Sequence, residues 1–489
     1  MKRNSVKINF ILNTTRMLLG MIFILLTTPY VTRILGAESL GKVEYVNSII
    51  TYFILFTALG IPNYGLREVA RHREDKCKLS KLVIELGIIL FITTAVGYII
   101  LLSFLYNTKL LELKNLVILM SINLIFTNIG FEWFYQGIEN QLYITIRYIM
   151  LRIVSLILLF FIVKNSNDYL KYGVILVLMN SGSNILNFIN LKKYISFKKI
   201  KIKDLEILKH IKPILVIFSS SIAVSIYLQL DTVMIGNIDK SAVAIYNVAN
   251  RLVRIPLTIV TALGTVLFPR ISNFYQKNDI ENYKKYLNYS LNYILMMALP
   301  IFFGIILLSK NIILIMAGEK FLVSVQTMKI LAIIIPIVGI AYFLGYQLLY
   351  PRGLERYYTY SVVTAAIVNF IFNYITIPKY LQNGAAIGTV IAESIGVIMM
   401  LFFSRKLLKE IEFFSIKRLK YFIASCIMGV FVYIVKLQNV NNIMVLLASI
   451  MIGIISYFFT LLILKEEYTS KYFFLVKKKY LGEIDVKDK

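Results

Sequence analysis

A series of long apolar segments constrains this chain more than any other feature of its sequence. Fourteen of them recur along the 489 residues, and charged or turn-forming stretches separate nearly every pair. A helix needs about 20 consecutive apolar residues to cross the hydrocarbon core of a bilayer, whereas the strands of a membrane barrel run to about 9–11 alternating residues. The pattern therefore predicts an all-α polytopic membrane protein with about 14 transmembrane helices.

The predicted spans cover residues 8–35, 43–66, 82–106, 115–138, 141–163, 172–191, 213–237, 242–269, 286–309, 324–350, 357–378, 384–404, 421–437 and 441–464. No short apolar core with a small-residue cleavage site follows Met1, so we expect the first span to be retained and not cleaved as a signal peptide. Composition agrees, because 58% of the residues are apolar and 16% are charged, against about 25% charged in soluble domains. These values exclude a soluble globular enzyme, a disordered chain and a protein with a single membrane anchor.

The distribution of basic residues predicts the orientation. The formal net charge is +27. An even number of spans puts both termini on one side, and the segments of that side carry 36 lysines and arginines against 11 on the other, where Lys329 and Lys436 near the ends of their spans are included. Because lysine and arginine accumulate in cytoplasmic loops, we predict that both termini are cytoplasmic. Anionic lipid suits such a basic face, and we expect no nucleic-acid partner.

An internal repeat predicts the domain organisation. Residues 36–47 (GAESLGKVEYVN) resemble residues 236–247 (GNIDKSAVAIYN), and the triplet at 58–60 recurs at 262–264. We predict a six-span N-terminal lobe (1–191), a cytoplasmic linker (192–212), a six-span C-terminal lobe (213–404), and two further spans with a basic cytoplasmic tail (405–489). Since six spans is an even number, both lobes insert in the same direction, and a substrate site is expected between them.

Six arginines lie within or at the ends of the predicted spans: Arg16, Arg33, Arg147, Arg152, Arg251 and Arg254. A charge at bilayer depth costs at least about 2.5–3.5 kcal/mol, so such residues are expected to line a wet cavity. The planar guanidinium suits phosphate. The alternative is snorkelling at a span end, which fits Arg33, Arg147 and Arg152 better than the other three.

Histidine and cysteine argue against a metal centre or a disulfide framework. The two histidines, His72 and His210, lie in lysine-rich surroundings and are predicted to be solvated. The two cysteines, Cys77 and Cys426, fall in a basic loop and in an apolar span, where they cannot meet on the predicted topology. A zinc or haem site built from so few ligands is not expected.

Several segments resemble a known family. They are RILGAESLG at 33–41, GIPNYGLRE at 60–68, FEWFYQGIE at 131–139, the region 249–272, and NGAAIG at 383–388. Together they resemble the Wzx-type oligosaccharide flippases of the multidrug/oligosaccharidyl-lipid/polysaccharide exporter superfamily. The resemblance implies two six-helix lobes around a V-shaped cavity, with two extra C-terminal helices.

The resemblance also implies a function. It is the flipping of undecaprenyl-diphosphate-linked oligosaccharide repeat units by alternating access, across the plasma (inner) membrane of a bacterium. The arginines implied to bind the diphosphate are Arg16, Arg33, Arg251 and Arg254. Capsule, O-antigen, teichoic-type and peptidoglycan pathways all stay open, and polysaccharide polymerase or assembly proteins are candidate partners.

The region 249–272 is also similar to the lipid II flippases, some of which hold a cation. The matching positions here are Asp231, Asn369, Asn373 and Thr389. Their oxygen atoms suit a hard cation such as sodium, and the asparagine at 373 stands where an aspartate occurs in that branch. Sodium coupling, proton titration at Asp231 and a structural role stay open, and we expect no other metal and no cofactor.

Two other functions compete with flipping of a lipid-linked glycan. A multidrug or cation antiporter of the same superfamily would need an acidic cavity, whereas intramembrane arginines here outnumber the acids expected to face a cavity, Glu44, Asp231 and Glu393. A membrane enzyme such as a sugar polymerase would need a sizeable outer loop, and the predicted outer loops are all short. No GxxxxGK[ST] loop for ATP is present in the sequence. We therefore predict an ion-coupled flippase and not an enzyme, with a lipid II flippase as the nearest alternative.

Overall fold

The chain folds as a succession of long α-helices. The computed structural model describes residues 6–106, 108–196, 200–438 and 441–471. The helices are α1 (Val6–Ala58), α2 (Ile61–His72), α3 (Lys76–Tyr106), α4 (Lys114–Ile129), α5 (Glu132–Gly137), α6 (Gln141–Ile162), α7 (Tyr169–Val177), α8 (Ser183–Leu191), α9 (Leu208–Gly236), α10 (Lys240–Gln276), α11 (Ile280–Met316), α12 (Ser324–Ala332), α13 (Ile334–Tyr342), α14 (Glu355–Leu408), α15 (Leu419–Lys436) and α16 (Asn442–Ile463). Short π-helical segments, Leu178–Gly182 and Phe343–Leu349, join α7 to α8 and continue α13.

The number of membrane spans agrees with the sequence prediction. Eleven helical segments of the described residues are long and apolar enough to cross a membrane. Two of them, α1 and α14, have 53 and 54 residues and break at a non-helical residue, Gly36 and Leu381. At 1.5 Å per residue, each is about 80 Å long, or two membrane crossings. The 29-residue α9 is not among the eleven, and counting it brings the described chain to fourteen spans. The helices confirm an all-α polytopic membrane protein.

The second span ends earlier than predicted. The apolar run at 43–66 suggests one continuous helix, but α1 stops at Ala58 and Gly60 takes a left-handed φ of 78°. The separate helix α2 follows, and it buries Ile61, Tyr64, Glu68 and Val69 along one face. This spacing is that of an amphipathic helix lying on a protein surface.

The two copies of the repeated segment lie together. Each copy holds the turn between two spans, at Gly36 in α1 and after Gly236 at the end of α9. A methyl group at Gly41 would lie 1.7 Å from the backbone oxygen of Lys240. The Tyr45 hydroxyl donates to Asn237 Oδ1 at 2.5 Å. Only a residue without a side chain allows the backbones to approach this closely at Gly41.

Two compact units make up the chain. The first comprises residues 1–245 with 377–382, and the second comprises 246–376 with 383–489. In the first unit, a buried cluster joins α2, α3 and α5 around aromatic side chains, including Trp133 and Phe134. Trp133 is the only tryptophan of the sequence, and a methyl group at Gly65 of α2 would lie 2.5 Å from its ring. In the second unit, α11, α15 and α16 pack around Tyr421, Met428 and Tyr457.

The predicted lobe boundaries at 191 and 213, and the cytoplasmic position of the linker between them, stay predictions. Residues 197–199 of that linker and residues 472–489 of the predicted basic tail lie outside the described residues.

Candidate functional site

Arg16 pairs with a carboxylate inside the first unit. Arg16 lies in the first half of α1, where its Nη1 atom donates to Glu132 Oε1 at 2.6 Å and its Nη2 atom to Asn13 Oδ1 at 3.4 Å. Glu132 is the first residue of α5, and Phe131 before it takes a left-handed φ of 44°. The Glu132 side chain keeps 37% of its surface exposed. The pair is therefore open to exchange with a ligand.

Arg147 of α6 contacts the same carboxylate from within the protein. Its Nη2 atom lies 3.4 Å from Glu132 Oε2, and its Nη1 atom donates to Ser183 Oγ at 2.5 Å. Only 3% of Arg147 is exposed. The alternative of a snorkelling Arg147 is therefore wrong. The planar guanidinium of Arg147 points into the protein because the Ser183 hydroxyl and the Glu132 carboxylate accept hydrogen bonds from its nitrogen atoms.

A third arginine completes what we call the arginine cluster, consisting of Arg16, Glu132, Arg147, Tyr148 and Arg152. The Cζ atoms of Arg152 and Arg16 lie 4.8 and 5.9 Å from the centroid of the Tyr148 ring. The Nε atoms of Arg147 and Arg152 are buried and have no hydrogen-bond partner within the described residues. Two of the three cations thus share the one carboxylate of the cluster, and the third lies over the Tyr148 ring. An excess of donors in a buried polar group favours an anionic ligand.

The other predicted diphosphate ligands lie elsewhere. Arg33 of the first unit is exposed and donates to the backbone oxygen of Pro29 at 2.8 Å, as expected for a residue at a span end. Arg251 and Arg254 belong to α10 in the second unit and are both half-buried. The Nε atom of Arg254 donates to Asn250 Oδ1 at 2.9 Å, one helical turn earlier.

Three of the four predicted cation ligands meet within the second unit. Asn369 and Asn373 are fully buried on one face of α14, and the Asn373 amide donates to Asn369 Oδ1 at 3.1 Å. Thr389, in the second half of α14, is also buried and lies 3.3 Å from the hydroxyl of Tyr246. A methyl group at Gly388 would lie 2.2 Å from Asn373 Oδ1, so the two halves of α14 touch at this point.

The fourth predicted ligand, Asp231, is a buried residue of α9 in the first unit. Buried amide and hydroxyl oxygens together with a carboxylate have the chemistry that a hard cation needs. The residues present fit such an ion by type.

Sequence reasoning missed two groups in the first unit. Glu132 lies in the motif FEWFYQGIE, among aromatic residues of a predicted span. An acidic residue inside a span is expected to have a cationic partner, and this signal could have identified Glu132. His210 is 3% exposed, so the prediction of a solvated histidine is wrong. Its surroundings in the sequence are lysine-rich, but its ring turns toward a buried carboxylate of α3, Glu85.

Two family models match the chain. The model of the polysaccharide biosynthesis proteins matches residues 6–275, and that of the lipid II flippase MurJ matches residues 148–456. The chain is 23% identical over 386 residues to a protein named as an O-antigen transporter of Shigella dysenteriae, covering 78% of this chain and 95% of the relative. It is 22% identical to the protein of the same name in Escherichia coli K12, with coverages of 78% and 92%.

Solved structures share the fold. A lipid II flippase MurJ in an inward closed conformation superimposes with a TM-score of 0.71 at 19% identity, covering 94% of this chain and 99% of that one. An inward-facing multidrug resistance transporter of the MATE family superimposes with a TM-score of 0.62 at 14% identity, covering 83% and 99%. The solved structures share the fold alone, whereas the matching family models and the O-antigen transporter relatives confirm the prediction that the chain is not an enzyme.

Proposed function

The chain belongs to the polysaccharide biosynthesis protein family, and on this basis we propose that it flips undecaprenyl-diphosphate-linked oligosaccharide repeat units across the bacterial plasma membrane. The transport proceeds by alternating access, with both termini in the cytoplasm. The relatives named as O-antigen transporters support a lipid-linked glycan as the substrate class. Proteins that polymerise or assemble the glycan are the proposed downstream partners.

The arginine cluster is the observation that carries this proposal. The cluster holds three arginines and one carboxylate, two of the arginines paired with it, which leaves a local excess of two positive charges among helices of the first unit. A diphosphate carries the opposite charge and offers planar sets of oxygens to guanidinium forks. An antiporter for organic cations would need the reverse polarity.

Glu132 has a specific part in this proposal. In the absence of substrate, its two carboxylate oxygens hold Arg16 and Arg147 in place. A diphosphate that approaches the cluster competes with Glu132 for the same donors. The arginines thus exchange one anion for another, and the incoming diphosphate offsets the excess positive charge of the cluster.

Arg251, Arg254 and Arg33 are proposed to contact the diphosphate at other stages of transport. Arg251 and Arg254 lie three residues apart on α10, so they share a helix face. A second basic site on the other unit lets the diphosphate keep a cationic partner as it moves.

Coupling to a cation is the second part of the proposal. Asp231, Asn369, Asn373 and Thr389 would hold sodium, or Asp231 would titrate a proton. The Asp231→Asn variant should abolish the dependence of transport on the coupling ion, whereas Asp75→Asn, the same change at a side chain that is 45% exposed, should keep it. Unchanged transport with unchanged sodium dependence in Asp231→Asn would refute this coupling site.

The close packing at Gly41 is proposed to seal the non-cytoplasmic end of the pathway. The repeated segments meet there with no side chain between the backbones at Gly41 and Lys240. Alternating access requires this contact to open and close once in each cycle. Lipid II is the alternative substrate, because the MurJ family model matches residues 148–456.

A reconstituted flipping assay tests the proposal. Liposomes with the full chain would carry either a fluorescent undecaprenyl-diphosphate oligosaccharide or lipid II, with the label of the outer leaflet quenched. We expect movement of the oligosaccharide lipid, and a loss of at least about tenfold in rate for Arg16→Gln or Arg147→Gln. Arg71→Gln is the matched control, because the Arg71 side chain is 62% exposed on α2. Movement of lipid II alone would favour the alternative, and movement of neither would refute flipping.

A further inference from the structure

A chain of three buried side chains joins the start of α9 to α2 and α3. The His210 Nε2 atom lies 2.8 Å from Glu85 Oε2, and its Nδ1 atom lies 2.7 Å from the hydroxyl of Tyr64. The exposed fractions are 1% for the Glu85 side chain, 4% for that of His210 and 5% for Tyr64. Nothing in the arginine cluster or the predicted cation site uses these residues. We call them the Tyr64–His210–Glu85 chain.

The hydrogen-bond pattern fits a neutral imidazole in one tautomer. A proton on Nε2 donates to the Glu85 carboxylate, and Nδ1 then accepts from the Tyr64 hydroxyl. Burial, and after it the nearby Glu68 carboxylate, raise the pKa of Tyr64, so that its hydroxyl stays protonated and available as a donor. The second oxygen of Glu85 accepts the backbone N–H of Glu206 at 2.6 Å.

Charged groups from every neighbouring element face this chain. Lys81 of α3 lies 3.9 Å from Glu85 Oε1, and Lys209 of α9 lies 3.7 Å from Glu85 Oε2. The linker contributes Glu206, which pairs with both lysines. From α2, Arg67 stacks over the Tyr64 ring with its Cζ atom 5.3 Å from the centroid, and Glu68 pairs with Arg67.

Protonation of His210 changes the strength of this connection. An imidazolium would donate to Glu85 as one member of an ion pair, and charge-assisted hydrogen bonds are roughly twice as strong as neutral ones. The added proton also offsets the buried charge of Glu85. Because a histidine titrates near neutral pH when unperturbed, a physiological change of pH reaches this range.

We propose that the Tyr64–His210–Glu85 chain is a proton-binding site that controls how firmly the first turn of α9 is held to α2 and α3. The proposal rests on the proposed function in one respect only: the proton is bound and released once in each flipping cycle. Proton binding strengthens the connection, and proton release returns it to the weaker hydrogen bond of the neutral imidazole. The site differs from the predicted cation ligand Asp231, which lies 21 positions later in the same helix.

The proton balance is simple. A proton from the aqueous phase binds the imidazole at Nδ1, and the charge of the His210–Glu85 pair changes from −1 to zero. Nδ1 then donates to the Tyr64 oxygen, and the Tyr64 O–H turns to another acceptor or to water. No covalent bond other than N–H forms or breaks.

The full chain offers a direct test because it contains only two histidines. Ring-labelled histidine gives two sets of NMR signals, and His72→Gln assigns them. His72 is the matched control, since its Nδ1 atom bonds only the backbone oxygen of Glu68 among the described residues. We expect the His210 signals to report a change of protonation state when the pH is varied, because the proposal requires this site to bind and release a proton. A His210 that stays in one protonation state from pH 5 to 9 would overturn the proposal.

Hydrogen exchange follows the same event without any substrate. After correction for the intrinsic effect of pH, amides of residues 208–215 should exchange about fivefold or more slowly at pH 5.5 than at pH 8.5. His210→Gln should remove this difference and His72→Gln should keep it. An unchanged pH difference in His210→Gln would contradict the proposal.

Flipping assays link the site to transport. The flipping rate of the wild type should change severalfold between pH 5.5 and 8.5, with the same midpoint as the change in the His210 NMR signals. The flipping rate of His210→Gln should not change over this range. A pH-independent wild-type rate, with His210 titrating, would refute its part in the flipping cycle. If no glycan lipid moves at any pH while His210 titrates and the exchange difference persists, the proposed function fails and the proton site stands.

Discussion

Two carboxylates of the first unit, Glu85 and Glu132, both lie among basic residues, yet they are held in opposite ways. Both oxygens of Glu85 are occupied, by His210 and by the Glu206 N–H, and the side chain is 1% exposed. Glu132 is 37% exposed, and its arginine partners have more donors than it can satisfy. A carboxylate whose oxygens are saturated fixes structure, whereas one outnumbered by donors marks a place where a second anion binds.

The largest effect should come from removing Glu85. Glu85→Ala leaves His210, the Glu206 N–H and two lysines without their shared acceptor, and breaking a buried pair in this way destabilises a protein by about 3–5 kcal/mol. Thermal unfolding of the purified chain in detergent measures the change. Glu132→Ala is the comparison and should cost about 1 kcal/mol, since Arg147 keeps Ser183 as a partner. Equal losses in both variants would erase the distinction between the two carboxylates.

Diphosphate binding should depend on the arginine cluster and not on the lysines near Glu85. Arg147→Gln removes charged donors worth about 1.5–3 kcal/mol, so the affinity for an undecaprenyl-diphosphate lipid should fall about 10- to 100-fold. Lys209→Gln should leave it unchanged. Calorimetric or fluorescence titration of the full chain in nanodiscs gives both values. A loss of affinity in Lys209→Gln as large as in Arg147→Gln would show that general charge, and not this cluster, binds the lipid.

Glu132→Gln should act in the opposite direction. It removes the anion that competes for Arg16 and Arg147 but keeps the side-chain size, so diphosphate affinity should increase by about three- to tenfold. Flipping should slow at saturating substrate, because release requires Glu132 to recover its arginines. Weaker binding in this variant would mean that Glu132 orients the arginines rather than competing with the substrate.

The smallest effect is expected at Glu206, beside the buried Glu85. The Lys209 hydrogen bond lowers the pKa of Glu206 below its usual 4.5. Because the pKa of Glu206 is lower in the folded protein, its pair with Lys209 stabilises the fold at pH values above the usual pKa of a glutamate. This stabilisation is lost as the pH falls through the pKa that Glu206 has in the folded protein. Because the side chain is 63% exposed, Glu206→Gln should leave thermal unfolding at pH 7 nearly unchanged. A large loss at pH 7 would assign to Glu206 the structural part that we assign to Glu85.

Hydropathy predicted the membrane-spanning architecture but not the partners of buried charges. Segments of about 20 apolar residues suffice to place spans, because lipid imposes their length. The division of 43–66 into the end of α1 and the separate α2 was missed because Gly60 and its neighbours belong to one apolar run. The turn is made by backbone geometry, which leaves little trace in average hydropathy.

Contacts between distant residues account for the other differences. His210 lies among lysines in sequence, but Glu85 is 125 residues away, and only the fold brings the two side chains together. Arg147 was placed at a span end for the same reason, since Ser183 and Glu132 become its neighbours only after folding. Arg16 lies within α1, and its part in diphosphate binding stays a prediction. The sequence did not indicate that a carboxylate would meet it there.

The single tryptophan provides a reporter that needs no label. Trp133 follows Glu132 directly, and its ring rests on Gly65, the neighbour of Tyr64. Indole emission from this chain therefore originates at the junction of the arginine cluster and the Tyr64–His210–Glu85 chain. Ligand binding at the arginine cluster and protonation of His210 should both change the emission spectrum of Trp133. Transport by the unmodified protein can therefore be followed optically in real time.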